Sequence, residues 1–347
     1  MIKRLIEITK NKRKQRFLRS GYTEKYAFIG IGQHSINNLY PILNYLRLDL
    51  KYIVTKGSKN ANLVNAHFRG VIGTNNLSIV LSDPEIKGVF ISTVPSAHFE
   101  LIKKVLEAGK AVFVEKPPCA NLVELKQLIE IENKTNQFCL IGLQKQYAPS
   151  YQSLKNKKLK NVSYNYRYVT GDYPEGDLLT EIFIHPLSLI IFLFGDIKQS
   201  NIKVVKTQKS ATTIFLHLEH NDGNVGSIEL STNYSWEYPT EKLIVNMKNE
   251  ICEINNTEAL ISYEKKGTIL NIPKEKIFKS SQIISRINHR NNFIPTLENN
   301  QLYNSGYYAQ IKCFAEILEN KKGVNHSSLK SCVELYEIIK EIRRTLE

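Results

Sequence analysis

Apolar residues follow two rhythms along this chain. Between residues 25 and 143, short apolar runs alternate with stretches in which apolar positions recur every three or four residues. KYAFIGIG (25–32), LKYIVT (50–55), GVFIST (88–93), AVFVE (111–115) and FCLIGL (138–143) read as strands. INNLYPILNYL (36–46), NANLVNAHF (60–68), FELIKKVLEAG (99–109) and NLVELKQLIEIENK (121–134) read as helices. Strands apolar throughout, joined by helical crossovers, predict a parallel sheet covered on both faces. Pro41 should bend or shorten the first of these helices. Gly109 should stop the third, and Asn121 suits the N-cap of the fourth.

The rhythm changes after about residue 147. NVSYNYRYVTG (161–171), TTIFLHLEH (212–220), NVGSIELSTNYSW (224–236), KLIVNMK (242–248) and EICEIN (250–255) read as strands joined by short turns such as NDGN (221–224). An apolar helix is expected near 178–194, and two more near 306–320 and 327–345. In the last, Val333, Leu335, Ile338, Ile339 and Ile342 form a stripe for core packing. The second half therefore predicts an α+β domain whose open, largely antiparallel sheet buries one face and leaves the other free. That free face is a candidate for substrate binding or for contact between subunits, which makes a homodimer or homotetramer the expected assembly.

Three regions result: a basic arm over 1–22, an α/β domain over 23–147 and a substrate-binding and oligomerisation domain over 148–347. The chain carries a formal charge of +14. Residues 1–20 hold eight Lys and Arg against Glu7 alone, so half the excess sits in the arm. The arm reads as a solvated, partly helical segment, or as a contact for an acidic partner such as anionic lipid or nucleic acid. It lacks the apolar core and small-residue cleavage site of a secretory signal. No motif for reading nucleic acid accompanies the charge. The longest apolar run, PLSLIIFLF (186–194), is far short of the ~20 residues a membrane helix needs, so no membrane span is expected. Cys119, Cys139, Cys252, Cys313 and Cys332 are odd in number and lack zinc spacing. Reduced, buried thiols in a cytoplasm are expected, and no metal site.

GIGQHS (30–35) follows the first strand and opens the first helix. In G-x-G-x-x-S, Gly30 permits the tight turn and Gly32 lets backbone approach a pyrophosphate at the helix N-terminus. Gly30, Gly32, Gln33, His34 and Ser35 are therefore candidates for holding a dinucleotide. The second strand ends at Thr55, where a carboxylate would accept from a ribose 2′-OH. The residues there are Thr55-Lys56-Gly57-Ser58-Lys59, whose hydroxyls and ammonium groups suit a 2′-phosphate. Thr55, Lys56 and Ser58 thus favour NADP over NAD.

GVFIST and AVFVE should end at the same carboxyl edge, where open α/β sheets bind ligands. Thr93 and Pro95, and then Glu115 and Lys116, leave the sheet there. Pro117 holds Lys116 extended and Pro118 stiffens the backbone beyond it, so the lysine is aimed into a cleft; one of the two X–Pro bonds is a candidate cis bond. In EGDLLTEIFIHPLSLIIFLFG (175–195), Glu181 and His185 are four apart and would share a helix face. The carboxylate could orient the imidazole, though Pro186 disfavours helical geometry at His185. A core helix with a satisfied histidine is the alternative.

G-x-G-x-x-S, then P-x-x-H-x(9)-AGK, then V-x-V-EKP, then E-x-x-x-H resembles the glucose-fructose oxidoreductase / inositol dehydrogenase (Gfo/Idh/MocA) family over about 25–345. The resemblance implies a Rossmann domain plus an α/β domain with an open sheet. It implies NAD(P)-dependent hydride transfer at a carbinol carbon of a sugar, cyclitol or nucleotide sugar, chemistry also used in surface-polysaccharide synthesis. By position, Lys116 matches the EKP lysine and His185 the catalytic histidine, while Glu181 stands at the usual aspartate. His98 falls in the P-x-x-H element at the cofactor. Gln144 and Lys145 stand at a substrate-facing run, with Arg167 and Tyr173 further candidates for an anionic group on the substrate. His185 would take the hydroxyl proton, its ordinary pKa of about 6.5 suiting both directions. Lys116 would stabilise charge on the reacting oxygen. Some relatives with this fold bind dinucleotide without turnover, so a non-catalytic sensor is the alternative function.

Overall fold

The computed structural model describes residues 2–19, 21–172, 176–206, 211–279, 281–288, 297, 300–320 and 322–346. The chain divides into two compact units. The first comprises Met1–Val114, Ile131–Cys139 and Ile311–Asn325; the second comprises Glu115–Glu130, Leu140–Gln310 and His326–Glu347.

In the first stretch, helix α1 (Ile2–Arg19) precedes an alternation of strands and helices. These are β1 (Lys25–Ile29), α2 (Tyr40–Leu46), β2 (Asp49–Val54), α3 (Ser58–His67), β3 (Ile72–Thr74), α4 (Leu77–Ser82), β4 (Ile86–Ile91), α5 (His98–Glu107), β5 (Ala111–Val114), α6 (Leu122–Thr135) and β6 (Cys139–Ile141). The strands form one six-stranded sheet in the order β3-β2-β1-β4-β5-β6, and the described pairings are parallel. Burial on both faces explains the continuous apolar runs: Tyr26, Phe28, Phe90 and Phe113 are all fully buried. Phe90 packs 5.9 Å from Phe28 and 5.3 Å from Phe113, ring to ring. Phe314, from the late helical segment that returns to this unit, lies 5.1 Å from Phe90.

Two local outcomes match the expectations. Asn121 Oδ1 accepts from the Val123 and Glu124 N–H groups, capping α6. Pro41 does shorten its helix, because a π-helical turn over Ser35–Leu39 precedes α2 and places Pro41 in the first α turn. β3 and α4 are too short for periodicity to reveal.

The second unit contains α7 (Pro149–Lys155), β7 (Ser163–Val169), a π-helical turn over Leu178–Phe183, α8 (Ile184–Phe194), β8 (Ile197–Lys206), β9 (Thr212–His220), β10 (Val225–Ser231), β11 (Thr240–Asn246), β12 (Glu250–Asn255) and β13 (Ala259–Glu264). A small hairpin, β14 (Thr268–Ile269) and β15 (Ile272–Pro273), then α9 (Lys274–Ile277) and β16 (Ile284–Asn288) follow; α10 (Gln301–Asn304), α11 (Tyr307–Leu318), which belongs to the first unit from Ile311 onward, and α12 (Val333–Leu346) come last. The large sheet has the order β16-β13-β12-β11-β7-β10-β9-β8. It is antiparallel except where β10 runs parallel to β7. Burial alternates along β9 and β7, leaving one row outward and one inward, as expected. The expected helix near 178–194 is two segments, the π turn and α8, because Pro186 cannot donate to the preceding turn. All five cysteines are buried and free. Among the described residues, no helix is long and apolar enough to cross a membrane, and no group of three His, Cys, Asp or Glu side chains could hold a metal ion.

Candidate active site

In the first unit, β1 delivers the glycine loop at its carboxyl end. Gly30 donates its N–H to the Val54 carbonyl (2.9 Å) and has φ of +108°. A Cβ on Gly30 would lie 2.0 Å from the Ser92 carbonyl oxygen, so the turn itself demands glycine at this position. Gly32 differs. It is exposed, and a Cβ there would meet nothing within 4 Å. The fold does not require glycine at 32, whereas a phosphate closing on the backbone would. Ser35 is buried and its Oγ lies 3.0 Å from Ser92 Oγ, so a small hydroxyl residue fits where helix meets strand.

A cavity of about 760 Å³ opens over this loop. Gly30, Gly32, Gln33, His34, Ser35, Thr55, Lys56, Thr93 and Pro95 all line it, together with Asn60, Leu77, Ser92 and Leu101, which no local pattern singles out. Leu77 belongs to α4, the helix too short to read. No Asp or Glu is among the lining residues, and Lys56 is the lining cation. Thr55 Oγ1 donates to the Gly57 carbonyl (2.9 Å). Four expected cofactor residues lie elsewhere, Lys116 of the second unit among them. His98 is buried, its Nε2 3.2 Å from the Thr93 carbonyl oxygen, where it fixes the loop. Ser58 is exposed at the start of α3. Glu115 belongs to the second unit, its carboxylate packed against Gly142. The loop, the empty space at Gly32 and the cavity fit a dinucleotide.

In the second unit, Lys116 stands two residues after the end of β5 and precedes a cis peptide bond to Pro117. Its Nζ donates to the backbone carbonyl of Glu181 at 2.5 Å. Burial pushes the Lys116 ammonium below the ordinary lysine range, with Glu115 and Glu181 opposing the shift. The acceptor carbonyl belongs to the π turn, which Asp177 caps: Asp177 Oδ1 accepts from the Thr180 N–H (2.8 Å) and hydroxyl (2.9 Å). Arg343 donates to Asp177 Oδ2 at 2.8 Å. Glu181 Oε1 accepts from the Asp177 N–H at 3.3 Å, so the carboxylate closes the same turn. His185 follows on the first turn of α8, half-buried. The Ser188 hydroxyl donates to the His185 carbonyl (2.9 Å), and Gln146 Nε2 donates to the Ser188 carbonyl (3.4 Å). That bond ties the Gln144–Tyr147 turn to the histidine helix.

The remaining expected substrate residues scatter. Gln144 is buried in that turn. Lys145 Nζ is held by Glu241 (2.7 Å) and lies 4.5 Å from the centre of the Tyr168 ring. Arg167 stands on the outward row of β7, its guanidinium on Glu229 at 2.8 Å. Tyr173 lies outside the described residues. The bracing roles of Asp177, Ser188 and Glu241 are not apparent from sequence; only Asp177, a cap residue three before Thr180, leaves a local signal.

Residues 24–143 match the family model described as an oxidoreductase family with an NAD-binding Rossmann fold, GFO_IDH_MocA. Residues 24–143 are thus similar to the Gfo/Idh/MocA family. Among curated proteins, the chain is 38% identical to scyllo-inositol 2-dehydrogenase (NAD(+)) of Bacillus subtilis over 22% of this chain and 23% of that protein. It is 29% identical to the uncharacterized oxidoreductase YhhX of Escherichia coli over 49% of this chain and 53% of that one. The matches thus span between about a quarter and about half of these relatives' lengths. Among solved structures, a dehydrogenase from Chromobacterium violaceum superposes with a TM-score of 0.77 at 18% identity, over 92% of this chain and 94% of that one. UDP-N-acetylglucosamine 3-dehydrogenase GnnA from Acidithiobacillus ferrooxidans gives 0.72 at 16% identity, over 92% and 97%. At such identities the likeness is one of fold, and it extends over both halves of the chain.

Proposed function

We propose that this protein is a Gfo/Idh/MocA-family NAD(P)-dependent dehydrogenase or reductase acting on a carbinol or carbonyl carbon of a sugar, cyclitol or nucleotide sugar. The observation that carries the reading is the bond from the Lys116 ammonium to the Glu181 carbonyl. It ties the lysine behind β5 to the turn that delivers His185. The nicotinamide would accept or supply the hydride. His185 takes the hydroxyl proton from the reacting carbon's oxygen and returns it in the reverse direction. Lys116 donates a hydrogen bond to that oxygen and stabilises its negative charge. Glu181 acts through its backbone as the anchor of the lysine, and its carboxylate braces the turn. Gln144, near the histidine helix in the chain's fold, faces substrate in this reading.

NADP is the preferred dinucleotide. A cavity lined by Lys56 and lacking any carboxylate at the end of β2 suits a 2′-phosphate better than a free 2′-hydroxyl. The outward row of the large sheet, where Phe215 is 45% exposed, is the surface on which a homodimer or homotetramer would form.

The test is turnover of sugars, cyclitols and nucleotide sugars with either dinucleotide. Lys116→Ala and His185→Ala should each lose about 100-fold or more in kcat, while dinucleotide affinity changes by less than about twofold. Normal rates in both variants overturn the assignment. Tight dinucleotide binding with no consumption across the screen would instead make the protein a sensor.

A further inference from the structure

Over its described side chains, helix α1 covers no part of the protein: each one, from residue 2 to residue 15, is exposed. A lone helix of this length is marginal in water unless one face is buried against something. Its two halves differ in chemistry. Ile2, Leu5 and Ile6 stand at i, i+3 and i+4 on one face, with Ile8 beside them, and are 74%, 58%, 49% and 43% exposed. From residue 10 onward, Lys10, Lys12, Arg13, Lys14, Arg16 and Arg19 stand without an acidic residue between them.

We infer that α1 is an interfacial helix that docks the protein on an anionic lipid bilayer. Its isoleucine and leucine end enters the boundary between headgroups and acyl chains, and its basic end lies on lipid phosphates. Charge selects this partner. A polyanion such as duplex nucleic acid neutralises the lysines and arginines but leaves four large apolar side chains in water. An anionic bilayer takes both halves of one helix at once. The charge density also keeps the helix at the surface, since no described helix is apolar enough to span a membrane.

The experiment is co-sedimentation of the full chain with vesicles of phosphatidylcholine alone or mixed with phosphatidylglycerol. Binding is expected to the mixed vesicles and not to neutral ones, and raised salt should weaken it. The double variant Leu5→Asp/Ile6→Asp and the triple variant Lys12→Glu/Arg13→Glu/Lys14→Glu should each weaken it at least about tenfold. Both should keep the parent's thermal unfolding midpoint, because these side chains are exposed in the folded protein. Three results overturn the inference: parent protein left in the supernatant with anionic vesicles, undiminished binding by the Leu5/Ile6 variant, or displacement from vesicles by duplex DNA at lower phosphate concentration than lipid.

Discussion

The ammonium of Lys116 lies 2.5 Å from the backbone carbonyl oxygen of Glu181. The turn over Leu178–Phe183 is π-helical, and in its i→i+5 register the donor to Glu181 would be residue 186. Residue 186 is proline and has no N–H. The lysine ammonium is a side-chain donor to that carbonyl.

Replacing that proline tests how far Lys116 depends on this carbonyl. Pro186→Ala supplies an N–H in the i+5 register of the Glu181 carbonyl, where it would compete with the lysine ammonium. Losing an acceptor disfavours the charged amine, so the limb of the pH–rate profile set by Lys116 should move to lower pH, with kcat down about tenfold. A profile superimposable on the parent's sinks the idea, whatever happens to stability.

Lys116 also carries a stability signature. Its pKa is lowered by burial, so between the folded value and the ordinary lysine range the unfolded chain binds a proton that the folded chain does not. The penalty is full below the folded pKa and fades as pH rises through that window. The unfolding free energy of the parent minus that of Lys116→Met should therefore rise from neutral pH toward pH of about 10. Urea midpoints for the pair across that range read it directly; a flat difference contradicts the burial effect.

Glu241 is a buried acceptor for three donors: Lys145 Nζ at 2.7 Å, Tyr151 OH at 2.9 Å and Tyr166 OH at 2.5 Å. Glu241→Leu strands a cation and two phenols and should cost about 3–5 kcal/mol. Tyr166→Phe removes one donor of three and should cost about 1–2 kcal/mol. Chemical denaturation of both variants checks the order, and an equal cost would mean that the carboxylate is not the hub.

The two glycines of the loop should separate fold from ligand. Gly30→Ala puts a methyl into the Ser92 carbonyl at a positive φ and should lower stability by about 2 kcal/mol or more. Gly32→Ala should leave the unfolding midpoint near that of the parent and weaken dinucleotide binding about tenfold or more, read by calorimetric titration. Loss of stability in the second variant, with affinity retained, would reverse the two roles.

Lys56→Glu bears on cofactor choice. A carboxylate at the end of β2 should repel a 2′-phosphate and accept from a 2′-hydroxyl. NADP affinity should fall about tenfold while NAD affinity holds or improves. Parallel losses for both dinucleotides would show that Lys56 does not read the ribose.

Strand and helix positions in the first domain are legible in sequence because both faces of its sheet are buried, which makes β1, β4 and β5 apolar throughout. The short elements β3, α4 and α7 leave too few residues for a period to register. The glycine loop and the lysine before two prolines are legible because each acts through local backbone geometry. Lys145 shows where local pattern stops. It looks like a substrate cation, but a carboxylate 96 residues away claims it. Arg167 likewise pairs with Glu229, its register neighbour on a parallel strand that no turn connects to it.

Sequence alone suffices for the parallel sheet, the glycine loop and the basic helix, since these rest on periodicity, spacing and the fixed chemistry of glycine and proline; the pairing of Lys116 with His185 comes from the family resemblance. Folding in three dimensions decides which polar side chains are spent on one another, that the turn before the histidine helix is π-helical and that its Glu181 carbonyl accepts from the lysine. Those outcomes depend on contacts between segments far apart in the chain, which no local pattern encodes.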